Sequence, residues 1–120
     1  MTAAILQSWA GVESEQLNPL ATRQYVHGTQ SMLCRFALTK GCLIPIHSHH
    51  NEQISFVVEG SLRFVLGADQ DDIRLVRTGE ILIIPGNIPH SAEALEDSIA
   101  FDVFAPPRQD WIDKDDAYLR

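Results

Sequence analysis

Four of the five histidines in this chain fall into two groups, His47, His49 and His50 and then His90. His47 and His49 are two residues apart, which on an extended strand turns both imidazoles to one face. Imidazole nitrogens presented together are the start of a divalent-metal site. Gln53 follows four residues after His49, where the chain can turn back toward the same centre; its amide oxygen is a neutral ligand, weaker than a carboxylate. His90 comes after a loop stiffened by Pro85 and Pro89. The plainer alternative is a set of surface histidines, since His-Ser-His-His-Asn-Glu is polar throughout. The parity of His50 points it away from His47 and His49, toward solvent or packing. His27 stands alone and reads as structural.

Asp102 is the second residue out of place. It shares a strand face with Ala100 and Phe104 in the most apolar stretch of its region. A carboxylate there must be paired, hydrogen-bonded or shifted in pKa. The alternative is an edge-strand aspartate that faces water or pairs with an arginine for structure.

The elements that must position these residues read as strands. Thr22–His27, Met32–Thr39, Leu43–His49, Ile54–Val58, Ser61–Leu66, Ile73–Arg77, Glu80–Ile84 and Ser98–Phe104 are extended runs separated by turn residues. Met32, Cys34, Phe36 and Leu38 alternate against their neighbours, and Pro45 argues that its strand is bent or lies at an edge. About eight short strands with no long helix predict an all-β sandwich or barrel. The expected organisation is an N-terminal arm over residues 1–20, a barrel over 21–110 and a C-terminal tail over 111–120. Within that tail, Asp110–Arg120 forms one helical turn or frays.

The chain has 120 residues, 45% of them hydrophobic, which suits one compact domain that needs no disulfide or metal merely to fold. Nine Lys and Arg against sixteen Asp and Glu give a net charge of −7, and no two basic residues adjoin. That excludes a nucleic-acid binder with a basic face and disfavours an anionic membrane surface. An acidic ligand would need a local cation to overcome the global field. Cys34 and Cys42 make no disulfide framework and read as buried reduced thiols. With no basic segment ahead of an apolar run at the N-terminus and no stretch long enough to span a bilayer, the expected location is the cytoplasm.

Two motifs carry a family resemblance. Gly41, five residues, His47-Ser48-His49, three residues, Gln53, six residues and Gly60 resemble the first cupin motif, in which glutamate stands at the Gln53 position. Gly79, five residues, Pro85, one residue, Asn87, two residues and His90 resemble the second, in which glycine is usual at Asn87 and asparagine at Ala94. The resemblance covers roughly residues 30–110. It implies a single cupin jelly-roll β-barrel holding a divalent transition metal (Zn, Ni, Mn or Fe) at His47, His49, Gln53 and His90. Glu52 as the ligand would be a register alternative, at a spacing shorter than the family's.

The ending from Asp102 to Trp111, including Phe104, Pro106, Pro107, Arg108 and Asp110, resembles the pectin-degradation cupins of the KdgF type. Those cupins also carry glutamine in place of the first-motif glutamate, and they convert 4,5-unsaturated uronates to linear 5-keto-4-deoxyuronates. The resemblance implies Asp102 as acid/base, Arg108 binding the substrate carboxylate in a bidentate fork, and Phe104 lining the pocket. The expected partner is thus a small carboxylated sugar. A metal-dependent dioxygenase and a non-catalytic ligand-binding barrel are the competing readings. Small cupins commonly pair through edge strands, so a homodimer is expected, with the arm at Met1–Pro19 covering a partner's sheet edge.

Overall fold

A computed structural model describes residues 3–120; Met1 and Thr2 of the expected arm lie outside the described residues. Ten antiparallel strands form two facing sheets. They are β1 (Glu15–Asn18), β2 (Ala21–His27), β3 (Met32–Leu38), β4 (Leu43–His47), β5 (Glu52–Glu59), β6 (Ser61–Leu66), β7 (Asp72–Arg77), β8 (Ile81–Ile84), β9 (His90–Ala94) and β10 (Ser98–Ala105). The larger sheet has the order β1-β2-β3-β10-β5-β8, and the smaller β4-β9-β6-β7. This is the all-β sandwich or barrel that the strand pattern predicts, in the jelly-roll form that the motif resemblance implies.

The core lies between the sheets and follows the alternation of side chains. Met32, Cys34, Phe36 and Leu38 point inward from β3, and Leu62, Phe64 and Leu66 face them from β6. Ala100, Asp102 and Phe104 point inward from β10, at the centre of the larger sheet, so Asp102 is no edge-strand residue. Cys34 and Cys42 are both free and buried, and burial pushes both thiols up.

Two strands escape the sequence reading. Glu15–Asn18 has one apolar residue, Leu17, so its period is invisible; it is held as an edge strand by pairing with β2. His90–Ala94 buries His90, Ala92 and Ala94, whose small alanines give no strand signal. The arm therefore runs along its own sheet. Trp9, in a 3₁₀ turn at Trp9–Gly11, packs on Phe101, and the Gln24 amide donates to the Trp9 and Val12 carbonyls at 2.8 and 3.0 Å. The tail does not fray. Helix α1 (Gln109–Ile112) and a 3₁₀ turn at Ala117–Leu119 fold back, with Trp111 and Leu119 buried in the core.

Candidate metal centre and acidic-ligand pocket

The four residues expected to hold a metal arrive from four places. His47 ends β4, His49 lies in the loop beyond it, Gln53 is the first inward residue of β5, and His90 opens β9. The shared face expected for His47 and His49 has a different origin, because β4 stops at His47. Ile44 pairs with Ala92 and His47 with His90, so β4 carries one extra residue around Pro45, a bulge that re-aims His47. His49 is placed instead by a clamp between loops. The Asn87 amide donates to the His49 carbonyl at 2.7 Å, and a Cβ on Gly86 would collide with the His50 carbonyl oxygen. Asn87 has φ 66°, a left-handed conformation that glycine adopts freely and asparagine tolerates, which explains why glycine serves at this position. His27 and His50 are exposed, and Glu52 at the start of β5 faces solvent.

His47, His49 and His90 each offer a nitrogen within 4.8 Å of the others. Each ring is oriented through Nδ1, which donates to a backbone carbonyl: His47 to Pro45 at 2.8 Å, His49 to Asn51 at 3.1 Å and His90 to Ile88 at 2.8 Å. That fixes the tautomer and leaves three Nε2 lone pairs converging. His90 Nε2 is buried, with no hydrogen-bond partner among the described residues. Gln53 Nε2 donates to Ser55 Oγ at 3.0 Å, so Gln53 Oε1 is turned toward His49 Nε2, 3.1 Å away. The two atoms are within hydrogen-bonding distance and are placed as neighbouring ligands for one ion. Burial lowers the pKa of His47 and His49 to about 4 and lowers that of His90, so all three are neutral at pH 7, the form a metal requires. The residues present fit a divalent metal with three imidazoles and one amide oxygen.

A small cavity of about 30 Å³ adjoins this cluster, lined in part by His47, Gln53, His90, Asp102, Phe104 and Arg108. Asp102 lies on β10 opposite Cys34 of β3 and Ser55 of β5. Burial raises its pKa from 3.8 to about 6, while the Ser55 hydroxyl and the Arg108 charge pull it back. Ser55, fully buried, thus touches both halves of the site: it takes the Gln53 amide proton and favours the ionised Asp102. Arg108 is buried, with its guanidinium 5.0 Å from the Phe104 ring and 4.7 Å from that of Trp111.

The bidentate fork expected for substrate is already engaged. Arg108 Nε and Nη2 donate to Asp110 at 3.0 and 2.8 Å, and Nη2 also donates to the Tyr118 hydroxyl. Phe104 is buried, edge-on to His49 at 5.6 Å and to Trp111 at 5.1 Å. Three contributors have no sequence signal of their own. Ser55 is a small polar residue in an apolar strand. Asn51 donates to the Pro106 and Pro107 carbonyls at 2.7 and 3.2 Å, tying the histidine loop to the turn that delivers Arg108. Tyr118 lies in the tail, its ring 5.0 Å from that of His47.

Comparisons with known proteins agree with this geometry. The solved structure of KdgF from Halomonas sp. is similar over 82% of this chain and 92% of its own, with a TM-score of 0.75 and 27% identity. An RmlC-like cupin from Shewanella frigidimarina NCIMB 400 matches 91% of this chain and 96% of its own, with a TM-score of 0.81 at 24% identity, a likeness of fold. Bacillus subtilis oxalate decarboxylase shares the fold at 19% identity and a TM-score of 0.76; 83% of this chain aligns with 29% of that longer one. No curated protein sequence matches the chain. The cupin domain family matches residues 34–104, well over half of the sequence, and the chain belongs to that family.

Proposed function

We propose that this cupin is a metal-dependent isomerase that opens 4,5-unsaturated uronates to linear 5-keto-4-deoxyuronates. The observation that carries the reading is Asp102: a carboxyl group buried in the middle of an apolar sheet, lining one cavity with two of the clustered histidines and with Arg108. A barrel that only binds has no use for a buried acid whose pKa burial has moved toward neutrality. The likeness to KdgF from Halomonas sp. supports the same choice.

A divalent ion held by His47, His49, Gln53 and His90 supplies Lewis acidity toward the oxygens of an anionic sugar, undiminished by any anionic ligand. Asp102, in its ionised form, takes the proton of the hemiacetal hydroxyl as the ring C–O bond breaks. The ring oxygen departs as an enolate, and Asp102 returns the proton to carbon as that enolate becomes the ketone, so the formula of the sugar is unchanged. A pKa of about 6 suits a group that must both accept and donate near neutral pH. Arg108, paired in this structure with Asp110, is the cation that lines the cavity and the group there that a substrate carboxylate would engage. Phe104, packed between Arg108 and His49, holds both cationic and metal-binding groups in place. Turnover of unsaturated uronate by wild-type protein, and its loss in Asp102→Asn with metal still bound, is the test.

A homodimer belongs to the same proposal; the arm, whose Ile5 and Leu6 are exposed, remains available to a partner's sheet edge. The outer face of the larger sheet exposes Leu33, Phe56, Ile81, Ile83 and Val103, and the smaller sheet exposes Leu43 and Ile46 on β4 and Ile73 and Leu75 on β7, with Arg63, Ser91 and Glu93 between them. β2, β3, β5 and β10, seven or eight residues each, make the middle of the larger sheet's face, and Trp9 of the arm covers part of it at Phe101. The charged residues of this face include Arg35 on β3 and Glu52 at the start of β5.

A further inference from the structure

The cavity beside the histidines, at about 30 Å³, has room for one or two waters and not for a sugar ring. What closes it is the tail. Tyr118 and Leu119 both line it, Leu119 buried and Tyr118 reaching from the 3₁₀ turn to the guanidinium of Arg108. The Tyr118 hydroxyl also accepts from Trp111 Nε1 at 3.3 Å.

The tail is held by charges, a buried pair and a part-exposed bridge. Asp116 Oδ2 accepts from buried Arg23 at 2.7 Å, and Arg120 bridges Asp116 and Glu15 at 3.3 and 3.1 Å. Asn18 adds a neutral contact, donating to the Leu119 carbonyl at 3.2 Å. Among the described residues, no strand of either sheet pairs with this segment. It is thus clasped by the buried Arg23–Asp116 pair and by Arg120 and plugged by Tyr118 and Leu119, and its leaving parts that pair but disturbs no β ladder.

We propose that Asp115–Arg120 is a latch over the barrel mouth, in which Tyr118 holds the place at Arg108 that an incoming carboxylate takes. Ligand entry and latch opening are then one event. The acidic character of the ligand rests on the uronate reading above; the latch itself rests on the cavity and the clasp. Because the closed form must open first, apparent affinity falls by the fraction of molecules that are open. Tyr118 is a selectivity residue in this scheme, since a neutral sugar gives Arg108 nothing in exchange for the phenol.

The test uses zinc-loaded protein, with galacturonate, a saturated uronate, as the probe. Galacturonate is expected to speed hydrogen exchange at the Leu119 and Arg120 amides, and tryptic cutting after Lys114, by at least about three-fold at saturation. Arg120→Ala, which loosens the clasp at an exposed side chain, and Tyr118→Phe, which keeps the ring but not the hydroxyl, are each expected to bind galacturonate at least about three-fold more tightly. Galacturonate binding with unchanged tail exchange and unchanged affinity in both variants overturns the latch and leaves the uronate reading standing. If galacturonate binds none of the three proteins, the uronate reading fails. Zinc removal by dipicolinate then decides the latch: faster removal from Arg120→Ala supports it, and equal rates overturn it.

Discussion

Replacing Asp102 with asparagine isolates the energetic cost of burying its charge. In metal-free protein the folded pKa is about 6 against 3.8 for the unfolded chain, and burial is the principal cause. Because the folded value is raised, the contribution of Asp102 to stability is fully present below pH 4 and is lost as pH rises through 6. The gap between the folded and unfolded values, at about 1.36 kcal/mol per pH unit, makes the loss about 3 kcal/mol. Asparagine has the same shape and no charge, so Asp102→Asn gains on the wild type by about 3 kcal/mol between pH 4 and pH 7. His47, His49 and His90 act in the opposite direction, since their folded values are lowered, but they are common to both proteins and cancel in the difference. Urea unfolding of chelator-treated protein, followed by the fluorescence of buried Trp111, measures both free energies at each pH. A difference that stays within about 0.5 kcal/mol from pH 4 to pH 8 would refute the claim that Asp102 is buried at an electrostatic cost.

Three further outcomes follow from the site and the sheet face. Zinc at about a thousand times its dissociation constant stabilises the folded chain by about 4 kcal/mol, a rise in melting temperature of more than about 10 °C; His90→Ala, which removes the buried unpartnered nitrogen, loses that rise in a thermal melt. Gln53→Glu adds an anionic ligand, so it tightens zinc binding in a chelator competition while lowering uronate turnover by about ten-fold or more, because part of the metal's charge is neutralised. Light scattering after size exclusion gives the mass of two chains for the wild type and of one for Ile83→Glu, which places a charge on the exposed edge strand of the apolar face; a monomeric wild type contradicts the dimer.

The parts of the fold legible in the sequence are those where alternation is strong. Met32 to Leu38 announces itself because large apolar residues face a core between two sheets, and Ser98 to Phe104 because Ile99, Phe101 and Val103 on its outer face make the run apolar. The edge strand at Glu15–Asn18 and the alanine-lined strand after His90 are silent, since pairing with neighbours rather than side-chain character makes them strands. The site divides in the same way. His47, His49, Gln53 and His90 are legible through their spacing in the family motifs, and Asp102 through its apolar setting. The bulge at Pro45 and the loop clamp on His49 are not, because both depend on register between strands far apart in sequence. Tyr118 and Asn51 reach partners that nothing near them in sequence marks.

The most direct test of the central claim is the loss of ultraviolet absorbance when unsaturated mono-uronate is mixed with metal-loaded protein, measured alongside Asp102→Asn carrying the same metal content. The conjugated enol acid disappears as the ring opens and the ketone forms. The predicted result is decay well above the spontaneous rate for the wild type, absent after metal removal and absent in Asp102→Asn. Decay no faster than the spontaneous rate with metal bound would contradict the uronate reading, and undiminished decay in Asp102→Asn would contradict the role given to the buried carboxyl group.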